Sequence, residues 1–205
     1  MTRLYLVRHG ETDANRDGLA LGRANVPLNE RGVWQAERLR ETLEDEPFAA
    51  VYSSPLSRTR KIAEMIASEH SLDVTIEEAL VEMDVGELDG LTFAEVRERH
   101  LGLLQRWSSA DGPGERLPGG ERLLDVSARA TEFLNGVRDL HPAELVCAVT
   151  HNFVILTILA DVLGIGIRSF RQLRHSLAAV SELEADGSRW RIVRMNDTSH
   201  LDDRR

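Results

Sequence analysis

The first side chains in this sequence that can do chemistry are Arg8 and His9, which directly follow the apolar run at residues 4–7. An imidazole can attack phosphorus, and a neighbouring arginine supplies a fixed positive charge for phosphoryl oxygens. Gly10, the next residue, lets the backbone approach a ligand closely. The tripeptide alone is a weak signal, because a loop histidine beside a surface arginine explains it equally well.

A second candidate, Arg58, lies at the start of a predicted helix that follows a predicted strand at residues 49–52. Ser54 is predicted to cap this helix, with Pro55 as its first residue. The first turn of a helix carries partial positive charge, so an arginine there is unfavourable unless an anion lies beside it. The position therefore favours an anion site, and a solvated helix face is the alternative for Arg58.

His151 forms the third candidate, because it follows the apolar run at residues 145–149 and precedes another predicted helix. The helix dipole disfavours a protonated histidine at this end, and a bound phosphate dianion reverses that preference. Ligands of open α/β sheets bind at the carboxyl ends of the strands. We therefore expect three strand ends to bring Arg8, His9, Arg58 and His151 together. The other histidines lack this placement and are predicted to be structural or exposed: His70, His100, His141, His175 and His200.

The elements that must position these side chains alternate along the chain. Short apolar runs predict strands at residues 4–7, 49–52, 74–76 and 145–149. Apolar residues recurring every three or four positions predict helices at residues 29–43, 55–68, 123–140 and 153–163. A capping box at Thr92-Phe93-Ala94-Glu95 predicts one more helix, which ends near His100. This alternation indicates an α/β fold.

Near the end of the chain, two further runs at residues 178–183 and 190–193 flank Ala185-Asp186-Gly187-Ser188. An Asp-Gly pair in this context predicts a hairpin, which adds antiparallel pairing at one edge of the sheet. The hairpin allows either pairing across a homodimer or an ordinary sheet edge. The tail at residues 201–205 is predicted to be frayed.

The stretch 112–120 is rich in Gly and Pro and is the one linker-like segment of the sequence. A boundary between two domains is one interpretation. We favour a loop or lid, because the strand at residues 145–149 is needed to complete the same sheet. The prediction is a single domain over residues 1–205, in which a helical and loop segment at residues 84–120 covers the substrate.

The chain has 205 residues, and 25 Lys+Arg against 34 Asp+Glu give a formal net charge of −9. A chain of this length buries enough surface for a stable core without a disulfide or structural metal. Its negative charge disfavours nucleic acids and anionic membranes as partners. The single cysteine, Cys147, is predicted to be a core residue rather than a thiolate nucleophile. No segment resembles a signal peptide or membrane span, so a cytoplasmic location is expected.

Taken together, these motifs resemble the histidine phosphatase superfamily, also called phosphoglycerate mutase-like, over nearly the whole chain. The resemblance is carried by Leu6-Val7-Arg8-His9-Gly10-Glu11-Thr12 with Asn15, Pro27-Leu28-Asn29-Glu30-Arg31-Gly32, Ser53-Ser54-Pro55-Leu56-Ser57-Arg58-Thr59, Glu82, Pro118-Gly119-Gly120-Glu121 and Val149-Thr150-His151. It implies a three-layer α/β/α sandwich with a mostly parallel central sheet and an antiparallel edge.

The resemblance also implies roles for the matching residues. His9 corresponds to the nucleophile that takes the phosphoryl group, and Glu82 to the acid that protonates the leaving oxygen. The clamp on the phosphoryl oxygens is implied to be Arg8, Arg58 and His151, with Asn15 as an additional phosphate contact. Gly22 and Asn152 are further candidate substrate-binding residues. Asn152 stands where the family often has glycine, and Ala14 where a bulky side chain is common, so the pocket shape is expected to differ.

Three functions follow as hypotheses. The first is a phosphatase that uses neither metal nor cofactor and acts on a small phosphorylated metabolite. The second is a mutase, which the short stretch between Gly90 and Pro118 disfavours, because the family's mutases have an insertion there. The third is a non-catalytic phospho-ligand-binding protein, which would be expected to lack one of the site residues. Glu82 needs a raised pKa, and either Asp84 or burial is its expected source.

The substrate is left open by the sequence. Residues 84–118 and 19–27 are predicted to line the entrance with apolar side chains mixed among arginines, namely Leu88, Leu91, Phe93, Leu103, Leu104 and Trp107 among Arg97, Arg99, Arg106 and Arg116. This mixture is compatible with a phosphosugar, a phosphorylated amino acid, the phosphoribosyl nucleoside of cobalamin assembly, or broad specificity.

Overall fold

A mixed six-stranded sheet lies at the centre of the computed structural model, which describes residues 1–187 and 189–202. Its strands are β1 (Thr2–Arg8), β2 (Phe48–Ser53), β3 (Val74–Ile76), β4 (Leu145–Thr150), β5 (Val180–Asp186) and β6 (Arg189–Asp197), in the order β3-β2-β4-β1-β5-β6. The first four strands run parallel, and β5 is antiparallel to β1 and β6. The predicted hairpin is thereby confirmed, although Ser188 of its turn and residues 203–205 of the predicted frayed tail lie outside the described residues.

Helices cover both faces of this sheet. They are α1 (Asp13–Arg16), α2 (Glu30–Leu43), α3 (Ser57–Glu69), α4 (Phe93–Arg99), α5 (Leu101–Trp107), α6 (Leu123–Leu140) and α7 (Asn152–Val162). One apolar cluster joins the sheet to α2 and α3, and a second joins it to α4, α5, α6 and α7. The predicted three-layer α/β/α arrangement is therefore confirmed.

Successive side chains along a strand point alternately into these two clusters, as a pleated backbone requires. Leu4 and Leu6 of β1 face α6 and α7, whereas Tyr5 and Val7 face α2 and α3. Cys147 of β4 is fully buried in the cluster that joins the sheet to α2 and α3. Burial raises the pKa of its thiol to about 12. This confirms the interpretation of the cysteine as a core residue, since a neutral thiol is a poor nucleophile.

The start of α3 differs from the prediction. The helix begins at Ser57, and its N-cap is Leu56, which makes no side-chain cap. Ser54, predicted as the cap, instead accepts a hydrogen bond from the Leu56 amide at 3.4 Å and bonds to His151 at 2.8 Å. A tertiary contact therefore overrides the local capping preference. Arg58 remains in the first turn, as predicted.

Residues 84–120, which we call the cap segment, contain α4 and α5 and two short 3-10 turns. The predicted capping box is confirmed, because Thr92 and Glu95 bond each other's backbone amides at the start of α4. Val96 and Leu103 anchor the segment in the same cluster as α6 and α7. Its role in covering substrate stays a prediction.

Strand β6 forms the edge of the sheet opposite β3 and pairs with β5 alone among the described strands. Val193 and Met195 of β6 are exposed. Pairing across a homodimer stays a prediction. Within residues 1–187 and 189–202, no helix combines the length and apolar character needed to cross a membrane.

Candidate active site

The carboxyl ends of three neighbouring parallel strands meet at one point, with β4 between β1 and β2. The His9 amide donates to the Thr150 carbonyl at 3.1 Å, and the Ser54 amide donates to the Val149 carbonyl at 3.2 Å. These bonds draw the loops after β1, β2 and β4 together. The rings of His9 and His151 consequently lie 5.2 Å apart between centroids.

His9 is buried, and its ring is held in one tautomer. Its Nδ1 lies 2.7 Å from the carbonyl oxygen of Gly10, which can only accept, so Nδ1 carries the proton. Burial lowers the pKa of His9 well below its ordinary value, and the positive charges of Arg58 and Arg8 lower it further. The opposite nitrogen, Nε2, is therefore an unprotonated lone pair at neutral pH.

Arg58 is fully buried and is oriented by backbone oxygens. It donates from Nη1 to the Ala24 carbonyl and from Nη2 to the Gly22 carbonyl, both at 2.8 Å. Arg8 is anchored similarly, by a bond from Nη1 to the His175 carbonyl. Burial lowers the pKa of each guanidinium to about 10, so both stay charged at neutral pH.

Three nitrogen atoms beside His9 are buried without a hydrogen-bond partner in the part of the chain that the structure describes. They are Nε of Arg8, Nε of Arg58 and Nδ1 of His151. The other ring nitrogen of His151 is engaged by Ser54 Oγ. Buried polar groups are normally paired, because leaving one unpaired costs about 1–3 kcal/mol. Two fixed positive charges and an imidazole with open hydrogen-bonding capacity suit an oxyanion such as phosphate.

Glu82 reaches the same place from the loop after β3. Its carboxylate accepts the amides of Met83 at 2.8 Å and Phe153 at 3.2 Å. Burial raises its pKa, against the opposing effects of these bonds and of Arg8 and Arg58. Of the two sources open from the sequence, burial is the one found, because Asp84 turns to bond the Gly86 amide.

The remaining candidates lie around this core in different ways. Asn15 uses its Oδ1 to accept from Thr12 in a capping box, and Asn152 is the first residue of α7. Both line a polar cavity on one side of Arg8, together with Arg174. Gly22 contributes through its carbonyl, which orients Arg58. A direct substrate contact by any of these three candidates stays a prediction.

Sequence reasoning missed several supporting groups. Ser54 belongs to a recognised motif, but its sequence position suggested only a helix cap, and its partner His151 lies 97 residues away. The carbonyls of Ala24 and His175 hold the two arginines, and backbone oxygens leave no signal in residue types. Four of the histidines placed outside the site use their rings to bond other groups of the described residues, namely His70, His141, His175 and His200, although the His175 carbonyl holds Arg8. Among the described residues, no three His, Cys, Asp or Glu side chains form a group that could hold a metal ion.

Gly22 makes a testable contribution to this geometry. A Cβ atom there would lie 2.8 Å from the Met83 carbonyl oxygen and 2.8 Å from Val85 Cγ2, closer than packed atoms approach. Gly22→Ala must displace the loop that orients Arg58, so we expect kcat/KM for a phosphomonoester to fall at least about tenfold. Denaturant unfolding should show a loss of about 1–3 kcal/mol.

The matched control for that substitution is Gly136→Ala in α6, where nothing lies within 4 Å of the added atom. It should leave kcat/KM unchanged and stabilise the helix by about 0.5–1 kcal/mol. Wild-type kcat/KM in Gly22→Ala would show that the placement of this loop is unimportant for the site.

Comparison with known proteins places this arrangement in a family. A model of the histidine phosphatase superfamily (branch 1) matches residues 4–198. The chain is 33% identical over 201 residues to phosphoserine phosphatase 1 of Hydrogenobacter thermophilus, covering 98% of this chain and 95% of that protein. It is 30% identical over 207 residues to the probable phosphoglycerate mutase GpmB of Cronobacter sakazakii, covering 98% and 96%.

A solved structure agrees with these relatives. Bacillus stearothermophilus YhfR superimposes with a TM-score of 0.92 at 30% identity, over 98% of this chain and 100% of that one. The family model and the relatives together indicate phosphatase or mutase chemistry. The sheet order, the site at its strand ends and these matches lead to one conclusion: the chain belongs to the histidine phosphatase superfamily.

Proposed function

We propose that this protein is a metal-independent phosphatase that hydrolyses a small phosphomonoester through a phosphohistidine on His9. One observation carries the proposal: near His9, whose Nε2 is unprotonated, the buried Nε atoms of Arg8 and Arg58 and Nδ1 of His151 have no hydrogen-bond partner among the described residues. A nucleophile next to fixed cationic groups with open hydrogen-bonding capacity is the arrangement that phosphoryl transfer requires.

In the first step, Nε2 of His9 attacks phosphorus as the bond from phosphorus to the ester oxygen breaks. Glu82, whose protonated form is favoured by burial, gives its proton to the leaving oxygen, and the alcohol departs. In the second step, the Glu82 carboxylate takes a proton from water. The resulting hydroxide oxygen bonds to phosphorus as the N–P bond breaks, which releases phosphate and restores both residues.

The surrounding charges stabilise both steps. Negative charge spreads over three phosphoryl oxygens in a loose transition state, so fixed donors around them supply most of the catalysis. Arg8 and Arg58 are already oriented by backbone carbonyls. Little reorganisation is therefore needed when the transition state forms.

A mutase remains the alternative within the family, and one of the relatives is called a probable phosphoglycerate mutase. A mutase must retain its alcohol while the phosphohistidine forms, and then return the phosphoryl group to another oxygen. The cap segment spans only residues 84–120, without the insertion that the resemblance associates with mutases. This favours hydrolysis over retention. A non-catalytic phospho-ligand-binding protein is disfavoured because the nucleophile and the acid are both in place.

The test is phosphate release from p-nitrophenyl phosphate in the presence of EDTA. We expect full activity, because every charge that the mechanism needs belongs to the chain itself. Complete dependence on added metal would overturn the mechanism. With 3-phosphoglycerate, interconversion of the 2- and 3-isomers faster than phosphate release would replace the phosphatase proposal by the mutase.

A further inference from the structure

An apolar cavity of about 360 Å³ lies beneath the cap segment. Its walls include Leu19 and Leu21 from the loop after α1, Leu88 and Trp107 from the cap segment, and Phe153 from α7. The volume lies within the range of about 300–1,000 Å³ that is usual for small-molecule sites. No charged side chain of the described residues lines it.

The cavity and the candidate active site share residues of the same segments. Phe153, one of its walls, donates its backbone amide to the Glu82 carboxylate at 3.2 Å. Leu21, another wall, precedes Gly22, whose carbonyl orients Arg58. The leaving oxygen of a bound ester must lie near Glu82, so the alcohol attached to it is directed towards this cavity.

The arginines of the cap segment do not enter the cavity, which corrects the mixed lining expected from the sequence. Arg99 pairs with Glu95 at 3.3 Å, Arg106 with Glu115 at 2.7 Å, and Arg116 with Asp125 at 3.2 Å, and all three arginine side chains are exposed. Arg97 is exposed and is not part of the lining. A carboxylate or second phosphate on the alcohol would enter the cavity without a cationic partner, which is costly.

The mouth of the cavity has the same apolar character. Phe93 lines it and is 67% exposed, so an aromatic ring is accessible to a ligand at the entrance. Trp107 is held in place by edge-to-face contacts with Phe153 and Phe170, at ring-centroid distances of 6.4 and 6.1 Å. A rigid inner wall and an exposed aromatic at the entrance are suited to an alkyl chain or aromatic ring.

We infer that the cavity binds the alcohol part of the substrate, and that the preferred substrates are phosphomonoesters of apolar alkyl or aryl alcohols. Esters that carry a second anionic group, such as 3-phosphoglycerate and phosphoserine, are poorer substrates. The inference rests on the proposed phosphatase function and adds to it the chemical class of the leaving group.

The test uses n-alkyl phosphates from methyl to hexyl. Their alcohols are nearly equal in acidity, so the chemical step is constant and changes in kcat/KM report binding of the chain. We expect about a threefold rise per methylene, and therefore about 240-fold over the five methylenes from methyl to hexyl phosphate. Hexyl phosphate should also exceed 3-phosphoglycerate and phosphoserine. A flat series, or a preference for the two metabolites that carry a carboxylate, would overturn the inference.

Two exposed positions in the cap segment provide matched variants. Phe93→Ala removes apolar surface at the mouth and should reduce the advantage of hexyl over methyl phosphate about fivefold. Leu101→Ala removes an apolar side chain that is also exposed, at 53%, but does not line the cavity. It should leave the whole series unchanged. An equal effect of both variants, or of neither, would count against the cavity.

Failure of this inference is distinguishable from failure of the phosphatase proposal. Phosphate release from every ester at one low rate refutes the cavity and leaves hydrolysis standing. If no ester is hydrolysed, calorimetry with alkylphosphonates tests the cavity by itself. Hexylphosphonate binding at least tenfold tighter than methylphosphonate supports the apolar site, and equal affinities refute it.

Discussion

Replacing His9 by alanine is expected to lower kcat for any phosphomonoester at least about 1,000-fold, the largest effect of a single substitution in this protein. The variant retains the cationic site and Glu82 but has no atom to receive the phosphoryl group. Its substrate affinity should change little, because Arg8, Arg58 and His151 still face the phosphoryl oxygens. The loss therefore appears in kcat rather than in KM.

The intermediate gives a second measurement for this prediction. Acid-free quenching during turnover, followed by mass spectrometry, should find one phosphoryl group on the wild-type peptide that contains His9. The matched control is His70→Ala. His70 follows the last residue of α3, and its ring bonds the carbonyl of Leu43 at the end of α2. The control variant should retain turnover and the phosphopeptide. Wild-type turnover in His9→Ala, or a label on another residue, would identify a different nucleophile.

Glu82→Gln is expected to have the second largest effect, and its size should depend on the ester. Glutamine keeps the shape of the side chain and can accept the Met83 and Phe153 amides, but it cannot give up a proton. With an alkyl phosphate, whose alkoxide needs that proton, kcat should fall about 100- to 1,000-fold. With p-nitrophenyl phosphate, whose leaving group is a weak base, the first step, measured as the burst of nitrophenolate, should slow at most about tenfold. Later turnovers also lose the base of the second step, so the comparison between esters is made on the first step.

The pH dependence of this variant follows from the raised pKa of Glu82. The acid form is the active one, so kcat/KM for an alkyl phosphate should fall as pH rises through that pKa. The same limb should be missing in Glu82→Gln, whereas the substrate's own titration affects both enzymes alike. The burial that raises this pKa keeps the acid protonated at a higher pH than an exposed carboxyl allows.

A carboxylate in the cap segment provides the control for a glutamate-to-glutamine change outside the site. Glu98→Gln changes an exposed residue of α4 and should leave both the rates and the pH profile unchanged. Equal slowing of the first step for alkyl and nitrophenyl esters in Glu82→Gln would mean that this residue does not protonate the leaving oxygen.

Much of the fold was predictable because its signals are local. Apolar runs and three- to four-residue periodicity are properties of short segments, and the observed strands and helices differ from the predicted ones by a few residues at their ends. The hairpin followed from one Asp-Gly pair. The start of α3 was wrong because Ser54 is engaged by His151, from the other half of the chain.

The meeting of the site's histidines and arginines at one edge of the sheet was also predictable. His9, Arg58 and His151 each follow a strand, and parallel neighbours end at one edge of a sheet, so their meeting follows from topology. Glu82 has no such local signal, since it lies in a loop between a 3-10 turn and the cap segment. Only the family resemblance singled it out, and only the structure shows that Phe153 and Met83 hold it.

The sequence by itself determined which residue types are available and which strand ends carry them. The tertiary structure decided three matters that depend on distant neighbours. They are the direction in which the pKa of Glu82 shifts, the open hydrogen-bonding capacity of Arg8, Arg58 and His151, and the separation of the cap segment's arginines from its apolar cavity. The physical reason is common to all three. Burial and unpaired donors are set by the whole surroundings of an atom, and those surroundings are assembled from segments far apart in the chain.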